Sequence, residues 1–273
     1  MVHTAQRALF YACFAAVALA SLAGCASKSG PAGGTTAASG ELVTDSDEPE
    51  ARKRARLRLE LAVGYYEQNQ TTIALDEVKR ALTADPGFAQ AYNLRGLIYT
   101  RLNDPRLAEE SFRRAISLDP QDANIVHNLG WMQCQQGRYA DSIQTFGQAL
   151  ASPSYGDKAK TWMTQGLCQI RAGQKAEAEA SLIRAYELDA GNPVTGFNLA
   201  NLLLQRGDFV RAQFYVRRLN NSELANAESL WLGIKVERKL QNREALLQLS
   251  DQLKKRFPKS REAGLLERSA FDD

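Results

Sequence analysis

Histidine and cysteine, which build many catalytic and metal sites, are scarce in this sequence. Its 273 residues include two histidines, His3 and His127, and four cysteines. No Cys-x-x-Cys, His-Glu-x-x-His, Gly-x-Ser-x-Gly or phosphate-binding glycine run is present. We therefore expect no catalytic residues, no metal and no cofactor. A hydrolase would need a nucleophile or a metal set that the sequence does not supply, so we predict that the protein is not an enzyme.

Prolines, aromatic residues and an excess of one charge are lacking as well. There are eight prolines, aromatic residues make up 8% of the chain, and the formal net charge is only +3. This composition favours a helix-rich protein over a β-sandwich or a disordered chain. Basic residues form only short runs such as Arg52-Lys53-Arg54. The even charge distribution argues against nucleic acid as a partner, and nothing in the pattern indicates a small-molecule substrate.

The first 24 residues form a lipoprotein signal pattern. Arg7 supplies the positive end, residues 8–20 are apolar, and Leu22-Ala23-Gly24-Cys25 follows, which resembles the lipobox of bacterial lipoproteins. The apolar run is too short to span a bilayer as a helix. The resemblance implies cleavage before Cys25 and attachment of acyl chains such as palmitate to it, and two or three such chains anchor a protein stably. An ordinary secretory signal with an incidental cysteine is the alternative.

Residues 25–50 are predicted to form the lipidated cysteine and a flexible tether, because they are rich in Ser, Gly, Ala and Thr. Ala26 follows Cys25, whereas the enteric sorting rule places Asp there in lipoproteins that stay in the inner membrane. The resemblance therefore implies an outer-membrane protein that is held by its lipid and faces the periplasm.

From residue 51 to about 260 the sequence repeats with a period of 34 residues. In the second unit the spacing of aromatic, glycine, alanine and proline residues is that of a tetratricopeptide repeat. The matching residues are Tyr92, Gly96, Tyr99, Ala108, Phe112, Ala115 and Pro120. Units starting near residues 55 and 123 match as well, and three more follow, the last one degenerate. Two extra residues within 152–156 lengthen the connection after the third unit.

These repeats predict an all-α protein. We expect a right-handed tetratricopeptide-repeat superhelix of about six repeats, or twelve antiparallel helices, over residues 51–260. Stacking of the units completes the core, since no unit can bury its own apolar faces. Residues 261–273 are predicted to form a C-terminal cap or tail.

Two cysteines, Cys134 and Cys168, remain in the mature chain once Cys13 leaves with the signal sequence and Cys25 is acylated. In the repeat register they occupy positions 12 and 10 of the first helices of neighbouring units, and these positions point to different faces. A disulfide requires Cα atoms within about 7 Å. We therefore expect two free, buried thiols, although the periplasm permits a disulfide.

The first helices of stacked units line a concave surface that binds partners, and in this family positions 2, 5, 9, 12 and 13 of each first helix face it. The first unit is apolar on two faces, with Leu61, Ala62 and Tyr65 assigned to the core. A helix that is hydrophobic all round is either buried or presents a binding patch, and the polar residues 46–54 would be a poor cover.

The residues predicted to bind a partner follow from this register. They are Leu59, Val63, Tyr66, Asn93, Leu97, His127, Trp131, Met163, Leu167, Phe197 and Asn201. Trp131 is either the central anchor, since tryptophan is enriched at interface centres, or it packs on the neighbouring unit. Which part of this surface dominates stays open.

Several segments resemble the type IV pilus biogenesis and stability lipoproteins, the pilotins of the PilF/PilW type. They are residues 127–131, 136–140, 152–155 with the lengthened connection, 230–235 and 252–258. The resemblance spans nearly the whole mature chain. It implies a pilotin that binds the pilus secretin as its protein partner and promotes secretin localisation and multimerisation, and we expect a monomer. An adaptor for peptidoglycan hydrolases or for outer-membrane protein assembly is the alternative.

Overall fold

The computed structural model describes residues 48–271, and within this range every regular element is an α-helix. The signal sequence, Cys25 and nearly all of the tether lie outside the described residues, so the expectations about them stay predictions. The helices are α1 Glu50–Glu67, α2 Thr71–Ala84, α3 Ala89–Arg101, α4 Pro105–Leu118, α5 Ala123–Gln135, α6 Tyr139–Ala151, α7 Lys158–Arg171, α8 Lys175–Leu188, α9 Pro193–Arg206, α10 Phe209–Asn220, α11 Ala227–Lys239, α12 Arg243–Arg256 and α13 Arg261–Glu267.

Helices α1 to α12 form six consecutive hairpins, in which each odd-numbered helix packs against the even-numbered helix that follows it. We call these two helices the first and second helix of a unit. Each unit also packs against the next one along the chain. This arrangement confirms the predicted tetratricopeptide superhelix. Along residues 48–271 no helix is long and apolar enough to cross a membrane.

The turn inside each hairpin contains one residue with a left-handed backbone. Three of these residues are Gly137, Gly173 and Gly207, with φ of 75°, 77° and 87°, and three are Asn69, Asn103 and Gln241, with φ of 59°, 58° and 56°. Glycine adopts this conformation without steric cost and asparagine does so more readily than most residues. The conformation recurs between the two helices of all six units, so the repeat is visible in the backbone as well as in the side chains.

Close contact between the two helices of a unit depends on a glycine facing a large side chain. A Cβ atom added at Gly96 would lie 2.6 Å from the ring of Phe112, and one added at Gly130 would lie 2.9 Å from the ring of Phe146. Phe112 in turn packs with Leu129 of the next unit. The small and large positions of the repeat pattern therefore meet in space, and each second helix also contributes to the core of the unit that follows.

The lengthened connection between α6 and α7 is anchored by Tyr155. Its ring is buried with Ala123 and Ala149, and its hydroxyl lies 2.7 Å from Oγ1 of Thr161 at the start of α7. Burial raises the pKa of the Tyr155 hydroxyl above its ordinary value, although the hydrogen bond with Thr161 acts in the opposite direction. The lengthened connection thus places the buried ring of Tyr155 between the third and fourth units.

Cys134 and Cys168 form a disulfide, so the prediction of two free thiols is wrong. Their Cα atoms are 5.9 Å apart, and both side chains are buried next to Phe146. Positions 12 and 10 differ by about 200° around a helix axis, because each residue turns the helix by about 100°. On two parallel neighbouring helices, side chains on opposite faces point towards each other. Cys134 and Cys168 do lie on different faces of their helices, and it is these two faces that meet between α5 and α7.

The last helix covers the C-terminal end of the repeats. Ala263 and Leu265 of α13 pack against α11 in a cluster with Leu230 and Ile234. Phe271 stacks on Trp231, with ring centroids 5.4 Å apart and planes 18° from parallel. These contacts shield the apolar face of the sixth unit, which has no further unit to pack against within the described residues.

Candidate partner-binding surface

The eleven residues predicted to bind a partner lie on five successive first helices. Three are on α1, and two each are on α3, α5, α7 and α9. Of this set, Val63 is exposed, His127 is buried, and the other nine are partly exposed. The structure therefore places them along one series of helices but gives them very different access to a partner.

The first unit exposes four large apolar side chains. The exposed fractions are 58% for Leu57, 50% for Leu61, 38% for Val63 and 46% for Ile73. Leu57 and Leu61 are one helical turn apart on α1, so they lie on the same face. Gly64, one further turn along, has open space where a side chain would be. We call the exposed surface of α1 formed by Leu57 and Leu61 the first-unit patch.

Leu61 was assigned to the core from the sequence, and this assignment is wrong. Ala62 is fully buried and Tyr65 packs against the core of the first unit, as expected. The equivalent of Leu61 in the third unit is Leu129, which is buried against Phe112 of the preceding unit. The first unit has no preceding unit among the described residues, so the same position faces outwards.

Leu59 and Tyr66 contribute to packing as well as to the surface. Both contact the core of the first unit together with Leu97 of the second. The guanidinium of Arg101 lies 3.5 Å from the centroid of the Tyr66 ring, and it also donates a hydrogen bond to the Tyr66 carbonyl. The inner side of α1 is therefore partly occupied by the second unit, and the first-unit patch lies on the side that remains open.

His127 is not available to a partner, which corrects its assignment to the groove. Its side chain is only 4% exposed, its ring lies 5.5 Å from that of Phe146, and its Nδ1 lies 2.8 Å from Oγ1 of Thr161. Burial, together with the nearby charge of Lys160, lowers the pKa of His127 to about 4. His127, Thr161 and Tyr155 form one buried hydrogen-bonded group that joins the third and fourth units.

Trp131 packs on the neighbouring unit and keeps part of its ring exposed. It contacts the cluster around the disulfide, and the guanidinium of Arg171 lies 5.2 Å from its ring centroid. A guanidinium at this distance is attracted by the aromatic ring. Trp131 therefore packs on the neighbouring unit, and its role as an anchor for a partner stays a prediction.

The remaining predicted residues form a half-buried line along the solenoid. Asn93 accepts a hydrogen bond from Nδ2 of Asn128, with the atoms 3.0 Å apart. Met163 packs in the core of the fourth unit and Phe197 in that of the fifth. Leu167 and Asn201 lie on the same first helices, and both are partly exposed. The side chains of this line are only partly accessible to a partner, whereas those of the first-unit patch are at least half exposed.

The described residues contain no group of three or more His, Cys, Asp or Glu side chains that could hold a metal ion. The acidic residues with buried carboxylates are instead bonded to arginines. Glu109 accepts from Arg138 and Arg113, and the pKa of Glu109 is lowered because these hydrogen bonds outweigh its partial burial. Glu237 accepts from Arg217 across the fifth and sixth units. The Glu109–Arg138 and Glu237–Arg217 pairs therefore link neighbouring units.

Comparison with known proteins places the chain in a family. The tetratricopeptide-repeat family matches residues 59–123 and 128–193, and a second tetratricopeptide pattern matches residues 111–144. The crystal structure of PilW, a widely conserved type IV pilus biogenesis factor, is 31% identical in sequence. The match covers 78% of this chain and 97% of PilW, with a TM-score of 0.68. The chain belongs to the PilW family of type IV pilus biogenesis proteins.

A further relative agrees with membership of the PilW family, and two more solved structures, 24% and 18% identical, share the fold. The type IV pilus assembly protein PilF of Pseudomonas aeruginosa is 27% identical over 221 residues, which cover 81% of this chain and 86% of PilF. A solved structure of Pseudomonas aeruginosa PilF superimposes with a TM-score of 0.71. YrrB, described as a tetratricopeptide protein with an unusual peptide-binding site, shares the fold with a TM-score of 0.56 at 18% identity. The resemblance to this family that the sequence shows is thus confirmed.

Proposed function

We propose that the protein is an outer-membrane lipoprotein, acylated at Cys25 and facing the periplasm, that works as a pilotin. In this proposal it binds the pilus secretin through its repeat surface and promotes secretin localisation and multimerisation, without catalysis and without a cofactor. Membership of the PilW family supports a role in type IV pilus biogenesis. The signal pattern that ends at Leu22-Ala23-Gly24-Cys25 supports the lipid anchor.

The single observation that carries the proposed binding site is the first-unit patch. Leu57 and Leu61 are at least half exposed on one face of α1, and clustered exposed apolar side chains mark interaction sites. Full burial of a leucine side chain contributes about 1.5–3 kcal/mol, so two leucines can supply a substantial share of the binding free energy. The patch therefore fits an apolar segment of the secretin.

The proposed mechanism couples the anchor to the bound segment. The acyl chains on Cys25 hold the protein in the outer membrane, and residues 26–49 lie between that anchor and α1. A secretin subunit bound at the first-unit patch is then kept close to the membrane in which it multimerises. Binding at a tethered site raises the local concentration of subunits without any new contact between them.

A second candidate function is that of an adaptor for peptidoglycan hydrolases or for outer-membrane protein assembly. Tetratricopeptide solenoids bind many kinds of partner, and fold alone does not decide between them. A deletion strain separates the two. Loss of twitching with an intact envelope supports the pilus function, whereas envelope defects with normal twitching support the adaptor.

The experiment that tests the pilotin proposal uses a deletion strain complemented with wild type or with Cys25→Ala. Outer-membrane fractions are run unheated on a denaturing gel and probed for the secretin multimer. We expect wild type to restore the multimer and Cys25→Ala to leave the secretin misplaced, while the variant itself accumulates at a normal level. A multimer that is present in the deletion strain, or that is fully restored by Cys25→Ala, would overturn the proposed role of the lipid anchor.

A further inference from the structure

A polar cleft lies between two second helices at the C-terminal end of the repeats. It encloses a cavity of about 340 Å³ between α10 and α12, and residues of α11 form part of its lining. The residues that matter most are Val216, Asn220, Gly233, Leu249, Gln248 and Gln252. We call this cavity and its open continuation towards Lys255 the α10–α12 cleft. It is built from the fifth and sixth units, whereas the first-unit patch lies at the opposite end of the repeats.

At the wall of the cleft, the contact inside the sixth unit differs from that in the second and third units. In the second and third units a phenylalanine ring lies directly against the glycine of the first helix. In the sixth unit the equivalent glycine is Gly233, and a Cβ added there would lie 2.6 Å from Nδ2 of Asn220 and 3.1 Å from Leu249. Leu249 is the equivalent of the phenylalanine, and Asn220 of the preceding unit lies against the same glycine as a second neighbour. The segment 230–235, singled out in the sequence, supplies this glycine.

Asn220 is held rigidly and leaves one hydrogen-bonding atom unused. Its side chain is 6% exposed, and Nδ2 donates to the carbonyl of Ser229 at 3.0 Å. Ser229 is fixed in turn by reciprocal hydrogen bonds with Asn226 at the start of α11. Because the amide nitrogen is committed to a carbonyl, Oδ1 is the remaining polar atom, and it accepts no hydrogen bond within the described residues. A buried acceptor without a donor costs about 1–3 kcal/mol.

The other walls of the cleft carry side chains that both donate and accept. Asn221, Gln248 and Gln252 are amides, and each amide offers two donors and a carbonyl oxygen. Arg217 is bonded to Glu237 at 2.7 Å and Lys255 to Asp251 at 2.9 Å, so these four charges are paired, whereas Glu223 and Glu244 of the lining are exposed to solvent. No aromatic side chain lines the cleft to stack against a sugar ring. This lining matches an uncharged backbone that alternates N–H and C=O groups.

We propose that the α10–α12 cleft binds an extended peptide segment of a partner protein, with one backbone N–H of that segment donating to Oδ1 of Asn220. The side-chain amides of Gln248 and Gln252 bond to neighbouring peptide groups of the same segment. Oδ1 is almost fully covered in the free chain, so in this proposal binding requires side chains of the cleft to shift, and Gln248 in the lining is exposed. This site is separate from the proposed secretin site and does not depend on it.

The test begins with a random twelve-residue peptide library displayed on phage and selected on the full chain in detergent. The recovered peptide is then titrated by calorimetry against wild type and variants. We expect Asn220→Leu to weaken binding about tenfold or more. Methylation of one backbone nitrogen of the peptide should weaken binding to wild type by a similar factor and leave binding to Asn220→Leu unchanged. Leu57→Asp with Leu61→Asp should have no effect.

Two controls keep the result interpretable. Asn220→Leu also removes the hydrogen bond to Ser229, so Gln248→Ala with Gln252→Ala is tested as a second variant that alters only the outer wall and should weaken binding about tenfold. Gln148→Ala, at an exposed glutamine of α6, should bind the peptide as wild type does. Recovery of no peptide, or of peptides that bind every variant equally, would overturn the proposal. It would indicate that Oδ1 of Asn220 accepts a hydrogen bond from solvent instead.

Discussion

Glycine at the eighth position of a unit is constrained by the side chain that it faces. Gly96 lies directly against the Phe112 ring, and an added methyl group would lie 2.6 Å from it. Gly147, on the exposed side of α6, has nothing within 4 Å of the same added atom. Close packing therefore disfavours a larger residue at Gly96, whereas helix propensity favours one at Gly147.

The first prediction compares these two glycines. Gly96→Ala should lower the free energy of unfolding by about 1–3 kcal/mol, because an extra methyl group in a closely packed core forces its neighbours to shift. Gly147→Ala should raise it by about 0.5–1 kcal/mol, because alanine is the better helix former. Urea unfolding followed by circular dichroism measures both. A destabilised Gly147→Ala would mean that α6 is not packed as described.

The second prediction concerns pH and His127. Its pKa is about 4 in the folded chain and has the ordinary value of 6.5 in the unfolded chain. As the pH falls below 6.5, the unfolded chain binds a proton first, so stability decreases until about pH 4. Between pH 7 and pH 5 the loss should be about 2 kcal/mol larger in wild type than in His127→Asn. Unfolding curves at both pH values measure this difference, and equal losses would contradict the buried, neutral state of His127.

At the scale of helices, the third and fourth units are joined more firmly than other neighbours. The disulfide connects α5 to α7, and the hydrogen-bonded group of His127, Thr161 and Tyr155 lies between the same two helices. The lengthened connection supplies Tyr155 and also shifts the register by two residues, which turns Cys168 towards Cys134. One local insertion therefore explains both the buried Tyr155 ring and the disulfide between Cys134 and Cys168.

The third prediction is that this cross-link stabilises the fold. Cys134→Ala with Cys168→Ala should lower the midpoint of urea unfolding, with a loss of about 2–4 kcal/mol expected for a disulfide that closes a loop of this length. Addition of a reductant should shift wild type towards the double variant and leave the double variant unchanged. Wild-type unfolding that does not respond to the reductant would show that the two thiols are free in solution.

Much of the element-scale structure follows from the sequence, and the exceptions have a common cause. The period of 34 residues and the glycine, alanine and aromatic spacing are sufficient to predict six helical hairpins. The errors at Leu61, His127 and Cys134 concern which neighbour a position meets. Repeat spacing specifies contacts within a unit, whereas the end of the solenoid and a two-residue insertion change contacts between units. Neither change can be read from a pattern averaged over the repeats.

At the scale of the whole molecule, the two ends of the described repeats differ. At the C-terminal end α13 and Phe271 cover Trp231 and the apolar face of α11. At the N-terminal end Leu57 and Leu61 of α1 remain exposed. A repeat array needs polar or covered ends to stay soluble, and we propose that a partner covers this exposed apolar end. This asymmetry, together with PilW family membership, is the basis for proposing a secretin site on the first unit.

The most direct test of that assignment is the affinity of the purified full chain for purified secretin in detergent, measured by surface plasmon resonance. Leu57→Asp with Leu61→Asp should weaken binding at least about tenfold, because a buried charge replaces apolar contact at the centre of the interface. Leu188→Asp with Leu247→Asp, at positions that are 57% and 58% exposed, should bind within about twofold of wild type. Equal affinities for all three proteins would contradict a secretin site on the first unit.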